Sequence, residues 1–430
     1  MISRLLNSKL VREAAFYGLA TAINRGLMLL GLPFLGKMLS IEDFGVWSLT
    51  QVLVSLGAPF ISLNGSSGIL REGIGNPQMG HTLFNRFSLE TLKISVLAGL
   101  VLIFLQRDWI FYTVLMVLTE AFASLVMAWY RSQDSHILYF AVVFTRLLAL
   151  GGAIFIEMDD PTLQGILFYQ TLLGIGLLLP FLAHSYLKKI PPVSYNFRPV
   201  LAFCLHLIPH GFAQWVISGS DRIIIKAMLD DSALGHYSLA YTLSMSIVLI
   251  NSGVGMTVGV DIIRDYQTWS TTLKRTKSIA LYSAVFLAAS VGLVGFITLF
   301  KHHIGSLENL TPAAVNLMPW ILDGMYFMGI YLFFINYLNY LRESVLLSSI
   351  TIISAILNVV LTIILIKFLG IEGAAIGTFV AYFALMALSM FFAVKKVPLK
   401  RNTFLVDIAI VTATVVVNHF LIILINFNQS

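Results

Sequence analysis

Apolar stretches long enough to cross a membrane recur along the whole chain. A helix of about 20 apolar residues covers a hydrocarbon core of about 30 Å. Thirteen stretches of this kind fall at 13–38, 44–66, 88–106, 109–129, 137–157, 163–186, 200–227, 235–260, 278–300, 314–340, 345–367, 371–394 and 404–426. The pattern predicts an all-α, polytopic membrane protein with about 13 spans, within a range of 12 to 14.

The loops between these spans alternate in charge. One set of connections is basic and contains Arg71, Arg86, Arg131, Lys188, Lys189, Arg198, Arg264, Lys274, Arg275, Lys277, Arg342, Lys395, Lys396, Lys400 and Arg401. The other connections are short or acidic, as in Glu42-Asp43 and Asp230-Asp231. Because basic loops stay in the cytoplasm, the amino terminus is expected there, and an odd number of spans puts the carboxyl end outside.

The composition agrees with this class and narrows the chemistry. Of 430 residues, 58% are hydrophobic and 11% are charged, against about 25% charged in soluble domains. The net charge of +6 is spread over loops, which indicates orientation in a membrane and not binding to nucleic acid. Cys204 is the single cysteine, and no carboxylate completes a metal motif with His206 and His210. No phosphate-binding glycine loop is found, so we expect neither a metal nor a cofactor.

A short repeat indicates that the chain contains two related halves. "LSIEDFGVWSLT" at 39–50 matches "LDDSALGHYSLA" at 229–240, with an offset of 190 residues. An even number of crossings separates the copies, so the halves are parallel repeats. We predict an amino-terminal six-helix bundle at 1–187, a proline-rich cytoplasmic linker at 188–199 and a carboxyl-terminal six-helix bundle at 200–394. A basic loop and an extra transmembrane helix follow at 395–430.

Two predicted spans carry polar residues on one side only. At about 100° per residue, the polar side of span 1 holds Glu13, Tyr17, Thr21, Asn24 and Arg25, and that of span 7 holds His206, His210, Gln214, Ser218, Asp221 and Arg222. Such a helix turns its polar side to the protein interior or to a watery cavity.

Charges also fall near the middle of predicted spans, at Arg25, Glu120 and Arg146. An arginine facing lipid at the bilayer centre costs about 2.5–3.5 kcal/mol. One interpretation is an internal ion pair, such as Arg25 or Arg146 with Glu120, that locks helices together; the other is ligand binding. Arg222 and Lys226, four residues apart, are expected to present positive charge jointly. Tryptophan and tyrosine near span ends, at Trp129, Tyr130 and Trp215, are expected at the membrane interface.

The order of several short motifs resembles one family. Both repeat copies, the stretch "IPHGFAQWVISGSDRIIIKAML" before the second copy, and "LGIEGAAIGTF" at 369–379 resemble the Wzx-type polysaccharide exporters of the MOP superfamily. The resemblance implies two six-helix bundles around a central cavity in a bacterial inner membrane. It also implies flipping of undecaprenyl-pyrophosphate-linked oligosaccharide, for O-antigen or capsule, to the periplasmic leaflet. Such proteins usually have 12 or 14 spans, so thirteen is a departure.

The residue chemistry points the same way. A pyrophosphate-sugar head group needs a water-filled path that is lined by cationic side chains. The guanidinium group of arginine suits this path because it binds phosphate bidentately. We therefore expect substrate contacts from Arg25, Arg146, Arg222, Lys226, Asn24, Thr21, Gln214 and Ser218. Glu120, Asp221 and Asp323 are candidates for proton coupling. The expected partners are the lipid-linked oligosaccharide, membrane lipids, and the polysaccharide polymerase and chain-length machinery.

Three other classes compete with this interpretation. A cation-coupled drug exporter of the related MATE branch would favour carboxylates over arginines in its cavity. A membrane glycosyltransferase or polymerase would need a sizeable exposed loop, whereas the longest outer loop, at about 301–313, is short, so we do not expect an enzyme. A structural or scaffolding membrane protein is the third alternative.

Overall fold

The described part of the chain is helical throughout. The computed structural model describes residues 29–102, 108–271, 273–300, 311–341, 343–397 and 401–427, and within them no strand is present. The first helices are α1 (described over Leu29–Met38), α2 (Ile41–Ile61), α3 (Gly65–Gly73), α4 (Pro77–Leu102), α5 (Trp109–Ser132), α6 (His136–Ile156) and α7 (Leu163–Leu187). They are followed by α8 (Phe197–Met228), α9 (Asp231–Ser244), α10 (Ser246–Arg264), α11 (Tyr266–Thr271), α12 (Lys274–Phe300), α13 (Pro312–Tyr340), α14 (Ser344–Leu369), α15 (Ile371–Lys396) and α16 (Arg401–Phe427).

The helices agree with most of the predicted spans. Ten described helices are long and apolar enough to cross a membrane, and α9 with the start of α10, bent by 43°, forms an eleventh. The first predicted span lies mostly outside the described residues. The third lies mostly within α4, a helix that begins at Pro77, before the predicted span starts at residue 88. The first turns of α4 are polar, so hydropathy does not mark them.

Several helices begin at side chains from the short or acidic loops. Asp108, Thr162 and Asp230 each accept a hydrogen bond from a backbone N–H two or three residues later, at 3.0, 3.0 and 2.7 Å. Capping of this kind satisfies donors that the first helical turn leaves without partners. Acidic residues in these loops therefore start helices as well as lowering the local positive charge.

The first compact unit contains, among the described residues, 29–39 and Val46–Phe212. Its core draws on α3, α4, α5, α6, α7 and the start of α8, through Ile69, Leu83, Phe84, Phe87, Leu125, Val126, Trp129, Tyr130, Val142, Leu178 and Cys204. Trp129 and Tyr130 are 0% and 1% exposed. The expectation that these two rings lie at the membrane interface is therefore wrong, because they fill the core of this unit.

The predicted linker has no helix between α7 and α8. Residues 188–196 run without regular structure, and the N–H of Val193 donates to Thr82 Oγ1 of α4 at 3.1 Å. This segment and the first half of α8 both pack within the first unit. The functional division of the chain at 188–199 stays a prediction.

The second compact unit contains Ser40–Gly45 and the described residues from Ala213 onward. Its most buried helix is α13. The predicted extra helix, α16, is part of this unit and is joined to α12 by a fully buried ion pair. Arg275 donates to Asp407 Oδ2 at 2.7 Å, and neither side chain is exposed. Arg275 also donates to Thr403 Oγ1 at 3.2 Å.

Small residues let two helices of the second unit approach closely. A Cβ added at Gly373 would lie 2.3 Å from the backbone of Leu365, and one at Gly377 would lie 2.7 Å from Thr362 Oγ1. Both glycines are on α15 and face α14. The Gly373–Gly377 spacing therefore serves helix packing, as a small-xxx-small pair is expected to do.

The repeat in the sequence is visible in the helices. α2 begins at Ile41 and α9 at Asp231, 190 residues apart. Each helix has a side-chain cap at the residue before it, from Ser40 and Asp230. Trp47 and Tyr237, which stand at equivalent positions, are both fully buried, and so are the serines that follow them. The two copies therefore share a helix start, a cap and a buried aromatic position.

The glycines of the two copies lie against each other within the second unit. A Cβ added at Gly45 would lie 2.7 Å from the backbone nitrogen of Gly235. A Cβ added at Gly235 would lie 2.0 Å from the carbonyl oxygen of Ile41. Only hydrogen fits at these two positions, which explains why both copies have glycine there.

Candidate functional site

An ion pair occupies the middle of two membrane helices in the first unit. Glu120 lies near the midpoint of α5 and Arg146 near the midpoint of α6, and the Arg146 guanidinium donates to Glu120 Oε1. This contact is the internal pair that the sequence offered as one alternative. The two side chains are nevertheless 15% (Arg146) and 25% (Glu120) exposed. The pair therefore links α5 to α6 and is not completely covered by the protein.

Uncharged polar side chains link further helices of the first unit. Trp47 Nε1 donates to Gln170 Oε1 at 3.1 Å, and Gln170 Nε2 donates to Gln51 at 3.5 Å, which joins α2 to α7. Thr113 Oγ1 of α5 donates to Thr50 Oγ1 of α2 at 3.2 Å. Sequence reasoning did not identify these residues, because single polar residues in apolar helices form no recognisable motif.

The three other predicted residues of the first half, Thr21, Asn24 and Arg25, lie outside the described residues. Their assignment to the substrate path stays a prediction from the sequence. Arg146 and Glu120 are thus the predicted site residues that the described part of the first unit contains.

In the second unit, one carboxylate oxygen of the buried Asp221 accepts two hydrogen bonds. The Tyr237 hydroxyl donates to Asp221 Oδ2 at 2.6 Å, and Thr378 Oγ1 donates to the same oxygen at 2.9 Å. Asp221 is 0% exposed. The carboxylate thereby ties α8 to α9 and α15, and it is closed to solvent in this conformation.

Arg222 and Lys226 follow Asp221 on α8 but point to different partners. The Arg222 guanidinium lies over the ring of Tyr241, 4.3 Å from its centroid, and is 1% exposed. A ring face attracts a cation most strongly where water is excluded. Lys226 Nζ pairs with Asp231 Oδ1 at 2.5 Å. The structure therefore does not bring these two cations together.

Gln214 and Ser218 lie about two turns and one turn, respectively, before Arg222 on α8. Gln214 Nε2 donates to Thr351 Oγ1 of α14 at 3.5 Å. Ser218 Oγ bonds back to the carbonyl oxygens of its own helix, at 3.2 Å from that of Gln214. Both side chains are half-buried, so each has some surface for a ligand.

Asp323, the third candidate for proton coupling, joins α13 to α16. Asn418 Nδ2 donates to Asp323 Oδ1 at 2.7 Å, and His419 Nδ1 lies 3.0 Å from Oδ2. The His419 ring also contacts that of Trp320, with centroids 4.6 Å apart. Asn418 and His419 were missed from the sequence. An Asn-His pair inside the apolar run of the last span was the available signal.

The charged side chains inside the membrane helices of the two units thus differ in how much of their surface is exposed. Asp221, Asp323 and Asp407 of the second unit are fully buried. Glu120 and Arg146 of the first unit keep part of their surface exposed. Among the described residues, no group of three or more histidine, cysteine, aspartate or glutamate side chains could hold a metal ion.

Comparisons with known proteins agree with a transport function. No family model matches the chain. The probable low-salt glycan biosynthesis flippase Agl15 of Haloferax volcanii is 22% identical to it over 393 residues, which cover 87% of this chain and 81% of Agl15.

Two solved structures share the fold. The lipid II flippase MurJ, in an inward closed conformation, gives a TM-score of 0.62 at 14% identity, covering 96% of this chain and 97% of MurJ. An inward-facing multidrug resistance MATE family transporter of the MOP superfamily gives 0.58 at 14% identity, covering 91% and 95%. The chain is therefore an all-helical, multi-pass membrane protein with the fold of MOP-superfamily transporters. The matches support a membrane flippase or transporter, because Agl15 and MurJ are named as flippases and the MATE protein as a transporter.

Proposed function

We propose that the protein is a Wzx-type flippase that moves undecaprenyl-pyrophosphate-linked oligosaccharide repeat units from the cytoplasmic to the periplasmic leaflet. It would do so by alternating access through a cationic cavity. The single observation that carries the proposal is the partly exposed Arg146 at mid-membrane depth. The similarity to a protein called a glycan flippase supports the class of substrate.

In this proposal, Arg146 and Arg25 bind the pyrophosphate. A guanidinium presents a fork of donors to phosphate oxygens and keeps its charge at any physiological pH. Asn24, Thr21, Gln214 and Ser218 exchange hydrogen bonds with sugar hydroxyls as water would. Arg222 and Lys226 extend the cationic path only if their present partners, the Tyr241 ring and Asp231, release them.

In this proposal the protein lies in a bacterial inner membrane, as the resemblance to Wzx-type exporters implies. Its amino terminus is in the cytoplasm, because the basic loops are expected on that side. A reporter enzyme fused after Lys189 should then report cytoplasm, and one fused after Asp160 should report periplasm. A periplasmic signal at Lys189 would overturn this topology, because the first half would contain an odd number of spans. Polysaccharide polymerase and chain-length proteins are the partners that such a location allows.

The membrane potential is the energy source that we favour. Moving one elementary charge through 100 mV is worth about 2.3 kcal/mol, so a doubly charged pyrophosphate leaving a negative interior gains about twice that. Proton exchange through Glu120, Asp221 or Asp323 is the alternative. Transport in proteoliposomes with a potassium diffusion potential and no pH gradient separates the two. A rate that stays the same when the potential is reversed excludes the potential-driven version.

Replacement of Arg146 tests the function directly. Proteoliposomes with a fluorescent polyprenyl-diphosphate disaccharide should show flipping by the wild type and at least a tenfold lower rate for Arg146→Ala. Arg146→Lys should recover part of the rate, through charge without the fork. Arg198→Ala, at an exposed position, is the matched control and should flip normally. Normal flipping by Arg146→Ala contradicts the proposed binding role. Its disappearance from the membrane would favour a purely structural ion pair.

A MATE-like, cation-coupled exporter of small molecules is the second candidate. The buried Asp221 and the Asp323–His419 contact favour it, because cation-coupled exporters need carboxylates inside the membrane. Inside-out vesicles separate the candidates. Accumulation of a cationic dye, without movement of the lipid-linked disaccharide, would establish the exporter.

A further inference from the structure

We infer that Glu120 is the resident anion of the substrate site, and that the pyrophosphate displaces it from Arg146 while Glu120 takes up one proton. This inference rests on the proposed function, since it names what the same arginine does when no substrate is present. The observations behind it are the direct Glu120–Arg146 contact and the exposed fraction of each side chain.

Arg146 is the charged side chain that acts on Glu120 in the described part of the chain. The other charged and titratable groups on α2, α3, α4, α6 and α7 are Glu42, Asp43, Arg71, Glu72, His81, Arg86, Glu90, Lys93, His136, Tyr139, Tyr169, His184 and Tyr186. Several of these are engaged with each other. Arg71 pairs with Glu72, and Glu90 pairs with both Arg86 and Lys93.

His184 is also engaged elsewhere, since its Nδ1 lies 2.9 Å from the Tyr130 hydroxyl. Glu42 and Asp43 lie in the first turn of α2, away from the helix midpoints. A displaced Glu120 therefore has no second cation among the described side chains known to act on it. Among the described side chains, its charge is then balanced by Arg146 or by a proton.

The exchange follows from the chemistry of the three groups. Arg146 keeps its charge, and a phosphate offers it two oxygens where Glu120 Oε1 offers one contact. Once the phosphate binds the guanidinium of Arg146, the Glu120 carboxylate has lost its ion-pair partner. It then lies beside an anion inside the membrane. A proton from cytoplasmic water then binds to the carboxylate oxygen, because the neutral acid is the form that tolerates this position.

The exchange has a consequence for the energy source. Each substrate would carry one proton in the outward direction, and the membrane potential would act on one negative charge fewer than for the pyrophosphate alone. When the substrate leaves, the proton leaves too and the Glu120–Arg146 pair forms again. Glu120 therefore keeps the empty site neutral and prevents Arg146 from holding the product.

Binding of a polyprenyl diphosphate without sugars tests the inference, with the full chain in nanodiscs from pH 5.5 to 8.5. Because one proton is taken up on binding, wild-type affinity should fall with rising pH, by up to about tenfold per pH unit. Glu120→Gln should bind more tightly at high pH, with a flatter profile that shows only the titration of the ligand. Glu90→Gln, which removes a carboxylate paired outside this site, is the matched control and should follow the wild type.

Each outcome bears on one claim. A Glu120→Gln profile with the affinity and the slope of the wild type overturns the resident-anion role and leaves the proposed function standing. Absence of binding by the wild type at every pH overturns the proposed function itself. If Glu120→Gln does not fold, Glu120→Asp replaces it. The shorter acid should bind the diphosphate more tightly and keep the pH slope, and loss of that slope would count against the inference.

Discussion

The buried pair between Arg275 and Asp407 offers a direct measure of what holds α16 in the second unit. Both side chains are 0% exposed and are joined at 2.7 Å. Asp407→Asn leaves the guanidinium buried without its counter-charge. Removing one partner of such a pair costs about 3–5 kcal/mol. At about 2–4 °C per kcal/mol for a unit of this size, the midpoint of thermal unfolding should fall by about 6–20 °C.

The double replacement Arg275→Met with Asp407→Leu separates the charge effect from the loss of a contact. An apolar pair of similar volume removes both desolvation costs, so most of the stability should return. Glu343→Gln is the control, because its pair with Lys396 is 32% and 44% exposed and should be worth less than about 1 kcal/mol. The assay is the fraction of monodisperse protein that remains in detergent after heating. A loss below about 1 kcal/mol for Asp407→Asn would refute the reasoning.

Two further substitutions test contacts within the second unit. Gly235→Ala should lower the amount of folded protein in the membrane, because its Cβ would meet a backbone oxygen at 2.0 Å, whereas Gly151→Ala, with open space around it, should have no such effect. Tyr237→Phe should cost about 1.5–3 kcal/mol in the same thermal assay, because it removes one of two hydrogen bonds to the buried Asp221 carboxylate. An unchanged midpoint for Tyr237→Phe would show that the hydroxyl does not stabilise the carboxylate.

The helix positions could be predicted because they depend on local sequence. Apolar runs of membrane length and short acidic loops are both read directly along the chain. The start of α4 at Pro77 could not be read in this way, since its first turns are polar. Their buried residues, such as Phe84 and Phe87, become apparent only once the neighbouring helices are in place.

Site residues could be predicted individually, and the pair of Arg146 with Glu120 was one of the alternatives that the sequence offered. The partners of the other site residues could not be predicted. Glu120, Arg146 and Asp323 can be identified because a charged residue inside a membrane span is costly unless it has a partner or a function. The histidine beside Asp323 comes from a helix 96 residues later, and no local pattern records such a pairing. Arg222 illustrates the same limit, since its place over the Tyr241 ring depends on how α8 and α9 pack.

The two repeat copies surround their shared aromatic position differently. Beside Trp47 stands Gly31, where an added Cβ would lie 3.8 Å from the indole ring. The residue 190 positions after Gly31 is Asp221, whose carboxylate accepts a hydrogen bond from the Tyr237 hydroxyl. In the first copy, the wide indole of Trp47 lies near a glycine. In the second copy, the narrower ring of Tyr237 lies near Asp221 and its hydroxyl donates to the carboxylate. The two copies thus combine the same helix start with different polarity beside the buried ring, which is apolar in the first copy and charged in the second.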